Sequence, residues 1–366
     1  MDCKILPLTV ILLLVSFSVE AVDIPWNGDW EIKGEKIDLA PFLPYFPSLS
    51  PWDLKGEISP QIQIHREGKR LEIKGELLWD KFSLGWKEGR FLLSSPSLEI
   101  SDISCFHEEG EWSIEARIKT PHVEYEKIIL KNVDARLRWS QKGLVIESFK
   151  AEMGEGNISL KGIVILLEKG IPLSLSGRVE RVQLSKLLLP LPYPLAGILD
   201  LKFKVSGKGK EPSSLNGWAK MCIEEGNLGE LPLLLNIFSL IFTGKPKKLS
   251  LDSMEGTFRI DEGYAYTSDA VVKGKGVSIS AKGYIGWTRK VDLTFSLYLS
   301  QEILKFTPLT RMVGILIDEL GNALIRVKMT GTITNPRYTL IPLSWGEMLG
   351  EGLERIFRFS PPREKP

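Results

Sequence analysis

Apolar and polar residues alternate along most of this chain, and the alternation recurs as a short motif. Its clearest copy is Val327-Lys-Met-Thr-Gly331-Thr-Ile333. Period-two alternation predicts a strand with one dry face and one wet face. The same pattern returns as Leu71-Glu-Ile-Lys-Gly75-Glu-Leu77, Ile158-Ser-Leu-Lys-Gly162-Ile-Val164, Leu173-Ser-Leu-Ser-Gly177-Arg-Val179 and Ile279-Ser-Ala-Lys-Gly283-Tyr-Ile285. Phe203-Lys-Val-Ser-Gly207 is a shortened copy. In each copy the glycine falls on the apolar register. Glycine there marks a bend, a bulge or a close approach. Repeated in one register, it predicts a curved sheet with room along its dry face. The plainer alternative is a sandwich or barrel in which the glycines relieve crowding.

Strands are predicted at Ile62–His65, Leu71–Trp79, Phe82–Trp86, Arg90–Ser94, Trp112–Lys119, Val133–Trp139, Leu144–Lys150 and Ile158–Leu167. Turns separate them at Glu67-Gly-Lys69, Lys87-Glu-Gly89, Gln141-Lys-Gly143 and Gly154-Glu-Gly156. Short connections without long helices predict an antiparallel sheet. A second series runs Gly217–Glu224, Met254–Ile260, Tyr264–Val272, Val277–Trp287, Val291–Leu299, Ala323–Ile333 and Tyr338–Ile341, with a turn at Asn335-Pro336.

Helix punctuation is sparse. Leu231–Phe242 is apolar nearly all round, with Pro232 in its first turn and Gly244 beyond its end. Such a helix must be buried. A second helix is expected from Thr307 to Gly321, with Leu309, Met312, Val313, Leu316 and Leu320 along one side. Ser185 is a candidate cap for a single turn before Pro190. The tail opens with the capping box Ser344-Trp-Gly-Glu347. Trp345, Met348, Leu349, Leu353, Ile356 and Phe357 then line one face. That face either packs on the sheet or meets a membrane surface or a partner protein.

At the N-terminus, Met1-Asp-Cys-Lys4 precedes the apolar run Ile5–Val19, which ends at Val19-Glu-Ala21. The run is short for a bilayer span and suits a signal peptide cleaved after Ala21. The destination is then the periplasm, the alternative being an inner-membrane anchor left uncleaved. Four segments follow: 1–21 signal peptide, 22–190 a Pro-rich cap and β-meander, 191–342 a second β region, 343–366 helix and tail.

Composition narrows function by exclusion. Net charge is +1 in 366 residues, with no basic excess to mark a nucleic-acid binder. His65, His107 and His122 are the only histidines, and none has a second ligand at zinc spacing. Gly207-Lys-Gly-Lys210 lacks the phosphate-loop pattern. No nucleophile–base motif stands out, so no catalysis and no cofactor are expected. Cys105 and Cys222 are far apart and read as buried thiols.

The second region resembles the C-terminal region of the AsmA-like family of bacterial envelope proteins. The features that carry the resemblance come in order. They are Gly197-x-Leu-x-Leu-x-Phe-x-Val-x-Gly-x-Gly209, Leu215-Asn-Gly217, Gly226-Asn-Leu228, the apolar helix, Met254-Glu-Gly-Thr-Phe-Arg-Ile260, Gly263-Tyr264, Ile279–Ile285, Val291-Asp-Leu293 and Val327–Pro336. The resemblance implies a long, strongly curved antiparallel sheet forming a hydrophobic groove. It also implies phospholipid moved between membranes, or outer-membrane assembly, and no catalytic residues. The chain is short beside the large bridge-forming members. Its N-terminus is expected to be a cleavable signal where they have a firm anchor.

An open dry face keeps acyl chains from water at about 0.8 kcal/mol per CH₂. The residues expected to line it are Leu160 with Gly162, Leu175 with Gly177, Val205 with Gly207, Ile279 with Gly283, and Met329 with Gly331. A charge at Met329 or Leu175 is then expected to displace lipid and spare the fold. The rival is an envelope protein with a closed β core and a partner-binding tail.

Overall fold

The computed structural model describes residues 27–39, 41, 52–86, 92–108, 111–125, 128–165, 170–187, 196–209, 211–228, 232–241, 251–305, 316–317 and 323–342. The expected signal peptide, most of the Pro-rich cap, the turn at 87–89 and the tail with Trp345, Leu349, Leu353, Ile356 and Phe357 lie outside them. The described chain is mainly β, with nineteen strands in one antiparallel sheet and two short helices. No described helix is long and apolar enough to cross a membrane. Two compact units emerge: Met1–Leu191 with Asp200–Gly217, and Pro192–Leu199 with Trp218–Pro366. Asp200–Gly217 belongs with the first unit.

In the first unit, β1 (Gly28–Lys33) and β2 (Ile37–Asp38) both pair with β3 (Trp52–Glu67). A meander follows through β4 (Arg70–Trp86), β5 (Leu92–Glu108), β6 (Glu111–Tyr125), β7 (Ile128–Ser140), β8 (Gly143–Met153), β9 (Gly156–Val164) and β10 (Pro172–Gln183). Each strand pairs with the next. A 3₁₀ turn, Leu184–Lys186, closes the run, and Ser185 sits inside it without capping it. β11 (Ile198–Lys208) and β12 (Glu211–Glu224) come next.

These strands are longer than the alternation predicted, because the alternation slips phase inside them. In β4 the dry positions are Leu71, Ile73, Leu77 and Trp79, then Phe82 and Leu84. Lys81, at φ 52°, is the extra residue that shifts the register. Asp102 (φ 52°) and Asn132 (φ 48°) do the same between Ile100 and Ile103 and between Leu130 and Val133. Such bulges bend a strand and keep both halves of its apolar set on one face. Phe82–Trp86 is therefore the end of β4 and not a strand of its own.

The dry face of β3–β8 is a true core. Leu84 and Ile100 are fully buried, and Trp79 donates its indole N–H to the Lys55 carbonyl at 3.2 Å. A second cluster on the same strands gathers Leu71, Ile73, Cys105, Ile114, Leu137 and Trp139.

In the second unit, α1 (Pro232–Ile241) follows the predicted helix. β13 (Leu251–Asp261), β14 (Tyr264–Gly274), β15 (Val277–Gly286) and β16 (Lys290–Leu299) form another meander. After α2 (Gln301–Lys305), β17 (Leu316–Ile317) pairs with β18 (Ala323–Thr332). β18 also pairs with β16 and with β19 (Asn335–Ile341). Leu316–Ile317 is thus a strand, where a helix was expected. Two positions suffice because they need only the edge of β18. The last hairpin turns at Ile333-Thr334, and Asn335 and Pro336 already belong to β19. Pro336 fits there because β19 pairs on one side only among the described residues.

Candidate functional site

The glycine-bearing strands come together in two places, one in each unit. In the first unit β9 and β10 pair so that Leu175 stands opposite Gly162 and Leu160 opposite Gly177. The next strand follows in register. The Gly209 N–H donates to the Ile171 carbonyl at 2.9 Å, and the Phe203 ring stands over Gly177. Both observations fix one antiparallel offset between β10 and β11, with Val205 beside Leu175. Residues opposed in this way share a face. The result is a dry face of two rows, Leu160–Gly177–Phe203 and Gly162–Leu175–Val205.

The glycines leave no gap, contrary to the expectation of room above them. A side chain at Gly162 would meet the Leu175 Cδ2 atom at 2.8 Å, and one at Gly177 would meet Leu160 and Phe203. Each leucine lies over the bare backbone of the next strand. Openness arises because, among the described residues, no element lies over the surface. Leu160, Leu175, Phe203 and Val205 are all only half-buried, whereas the dry-face leucines of β4 and β5 are 0–8 % exposed.

In the second unit the same motif is sealed. Gly283 faces Leu293, Leu293 faces Met329, and Met329 faces Tyr338. Ile279 and Met329 are each 1 % exposed. Gly283, at φ 135°, keeps a backbone no L-residue adopts easily while the Asp292 carbonyl closes against it. Gly331, at the exposed end of β18, has φ 99°. Helix α1 buries Leu234, Ile237, Phe238 and Ile241, an i, i+3, i+4, i+7 stripe. Asn236 of α1 lies beside the Tyr338 hydroxyl, so α1 stands over the dry face of β18–β19. Burial pushes the Tyr338 phenol above its ordinary pKa, with Asn236 acting in the opposite sense.

The predicted lining set thus divides. Leu160, Gly162, Leu175, Gly177, Val205 and Gly207 belong to a partly open apolar surface in the first unit. Ile279, Gly283 and Met329 belong to a closed core in the second. Phe203 and Leu173 join the open rows and were overlooked, although both sit on the apolar register of their own motif copies.

Chemistry elsewhere is thin. Among the described residues no group of three or more His, Cys, Asp or Glu side chains is placed to hold a metal ion. His65 bonds Asp29 at 2.6 Å and His122 bonds Glu124 at 2.8 Å, both exposed and both single pairs. Cys105 and Cys222 are free thiols. A cleft of about 710 Å³ is lined by Lys33, Glu35, Gln61, Glu76, Leu78 and Glu99. Its charged walls suit water better than hydrocarbon. No family model, no curated protein and no solved structure matches the chain.

Proposed function

We propose that the protein is a non-catalytic, AsmA-like protein of the bacterial envelope that shields and relays phospholipid acyl chains. The observation that carries this reading is the half-buried apolar surface of Leu160, Leu175, Phe203 and Val205 on β9–β11. Three adjacent strands offer aliphatic and aromatic side chains on one face, less covered among the described residues than the dry faces of β4 and β5. Exposed apolar surface of this extent normally marks a binding site. Acyl chains need such a surface and no particular polar partner. In this reading the chain acts in the periplasm, and the groove supports outer-membrane assembly.

A second reading has its own observation. Met329, Ile279 and Val327 are buried beneath the level of water, as in an ordinary closed core. If the first unit were closed too, the protein would be a structural or interaction protein whose tail meets a partner.

Lipid extraction and mass spectrometry on protein purified without detergent separates the two. Stoichiometric phospholipid is expected. A stable, lipid-free monomer would sink the groove.

A further inference from the structure

We propose that the polar face of β8–β11 in the first unit docks on the anionic surface of a phospholipid bilayer. The proposal rests on the lipid reading above and adds where the protein meets its lipid source.

The offset that places Val205 beside Leu175 also places Lys204 beside Ser176 and Lys202 beside Arg178. Across the β9–β10 pair, Ser176 faces Lys161 and Arg178 faces Ser159, which in turn faces Lys150 of β8. Lys150, Lys161, Arg178, Lys202 and Lys204 therefore share one flat face, within strands roughly 4.8 Å apart. All five are exposed. Two acids, Glu180 and Asp200, adjoin the five cations on this face and leave it net positive. Glu180 takes Arg178 at 3.0 Å, and Asp200 accepts the Arg181 backbone N–H at 3.1 Å. Lys161, Lys202 and Lys204 have no ion-pair partner among the described residues, while Lys150 stands opposite Asp134 of β7.

The contrast with β3–β8 gives this meaning. There the charges on the same face are matched: Lys74 with Glu72, Lys81 with Glu57, Arg117 with Asp134, Arg138 with Glu147. In a chain of net charge +1, an unmatched cluster is a local feature that composition hides. The face has hydroxyls between its cations, at Ser159, Ser174, Ser176 and Ser206, suited to phosphate oxygens. The cleft lined by Lys33, Gln61, Glu76 and Glu99 lies elsewhere, and cations spread over four strands fit a surface better than a small ligand. Its strands also carry the half-open apolar rows on their other face. With the polar face on the bilayer, those rows face away from it, one sheet thickness from the surface.

The test is flotation of the full chain with phosphatidylcholine vesicles, with and without about one third phosphatidylglycerol. Binding is expected only to the anionic vesicles, and is expected to vanish between about 0.1 M and 0.5 M salt as charges are screened. The variant Lys161→Gln/Lys202→Gln/Lys204→Gln should lose about a hundredfold in partitioning. Lys33→Gln/Lys74→Gln/Lys81→Gln changes net charge equally but at matched sites, and should bind as the parent does. Equal binding to both vesicle types, or equal loss in both variants, overturns the proposal. So does retention on soluble polyphosphate with none on vesicles. Co-purified phospholipid is counted in the same samples. Vesicle binding without it supports the docking face and overturns the groove, while lipid without vesicle binding does the reverse.

Discussion

Leu175 stands directly opposite Gly162 across β9 and β10, and its side chain covers the space a Cβ would fill. Leu160 does the same over Gly177, helped by the Phe203 ring. Adding a methyl at Gly177 therefore strikes side chains and not backbone. Gly177→Ala is expected to cost about 1–3 kcal/mol, as overpacking does. Shortening the neighbour should relieve it, so Leu160→Ala and Gly177→Ala should couple by about 0.5–3 kcal/mol in a urea-denaturation cycle. Simple additivity would show that the pair does not pack as described.

The two halves of the glycine motif should respond differently to charge. Leu175 is half-buried and Met329 is 1 % exposed. Leu175→Glu can turn its carboxylate to water and should stay folded while co-purified lipid falls. Met329→Glu has no such route, because a buried unpaired charge is expensive. It should fail to fold, against the tolerance expected for both positions when they seemed equivalent. Circular dichroism and lipid counts on the two proteins decide the point.

Asp134 accepts two bonds from Arg117, from Nε at 2.9 Å and from Nη2 at 2.6 Å. Those hydrogen bonds, outweighing burial, hold the Asp134 carboxyl below its ordinary range. A depressed folded pKa contributes stability that is present above the unfolded value and lost as pH falls through the folded one. The window opens below about pH 4. Asp134→Asn should therefore flatten the acid limb of the stability curve. Urea midpoints at several acidic pH values would reveal the change, and parallel curves would refute it.

Tyr338 has a buried hydroxyl without a hydrogen bond of good geometry. Removing such a group avoids a desolvation cost of about 1–3 kcal/mol. Tyr338→Phe is expected to be neutral or stabilising at neutral pH. The sign also holds in alkali. A phenol whose folded pKa is raised resists ionising in the fold, so stability falls as pH rises above about 10. The variant should lose that fall. A destabilised Tyr338→Phe would mean that its hydroxyl is satisfied after all.

Much of this protein was legible in its alternation. The period of two named the strands, the short polar turns named the antiparallel order, and Pro232 placed α1. The parity of Gly162, Gly177, Gly283 and Gly331 correctly put them on the dry face, because a strand leaves side chains only two directions. The alternation could not show Lys81, Asp102 and Asn132 as bulges. A phase slip within a strand and a turn between strands look alike until hydrogen bonds choose between them. Leu316–Ile317 was misassigned for a related reason: two apolar residues fit a helix stripe or an edge strand equally.

Sequence by itself determined which side of each strand is apolar. Only the tertiary structure decided which apolar side is covered. Leu175 and Met329 occupy the same motif position, yet α1 stands over the dry face of one unit and no described element seals the rows on β9–β11 in the other. It also decided which lysines are matched, since Lys74 pairs with Glu72 while Lys161, Lys202 and Lys204 make no ion pair among the described residues. Cover and charge matching depend on which residues lie beside each other, and that is set by strand register and packing, quantities no local pattern records.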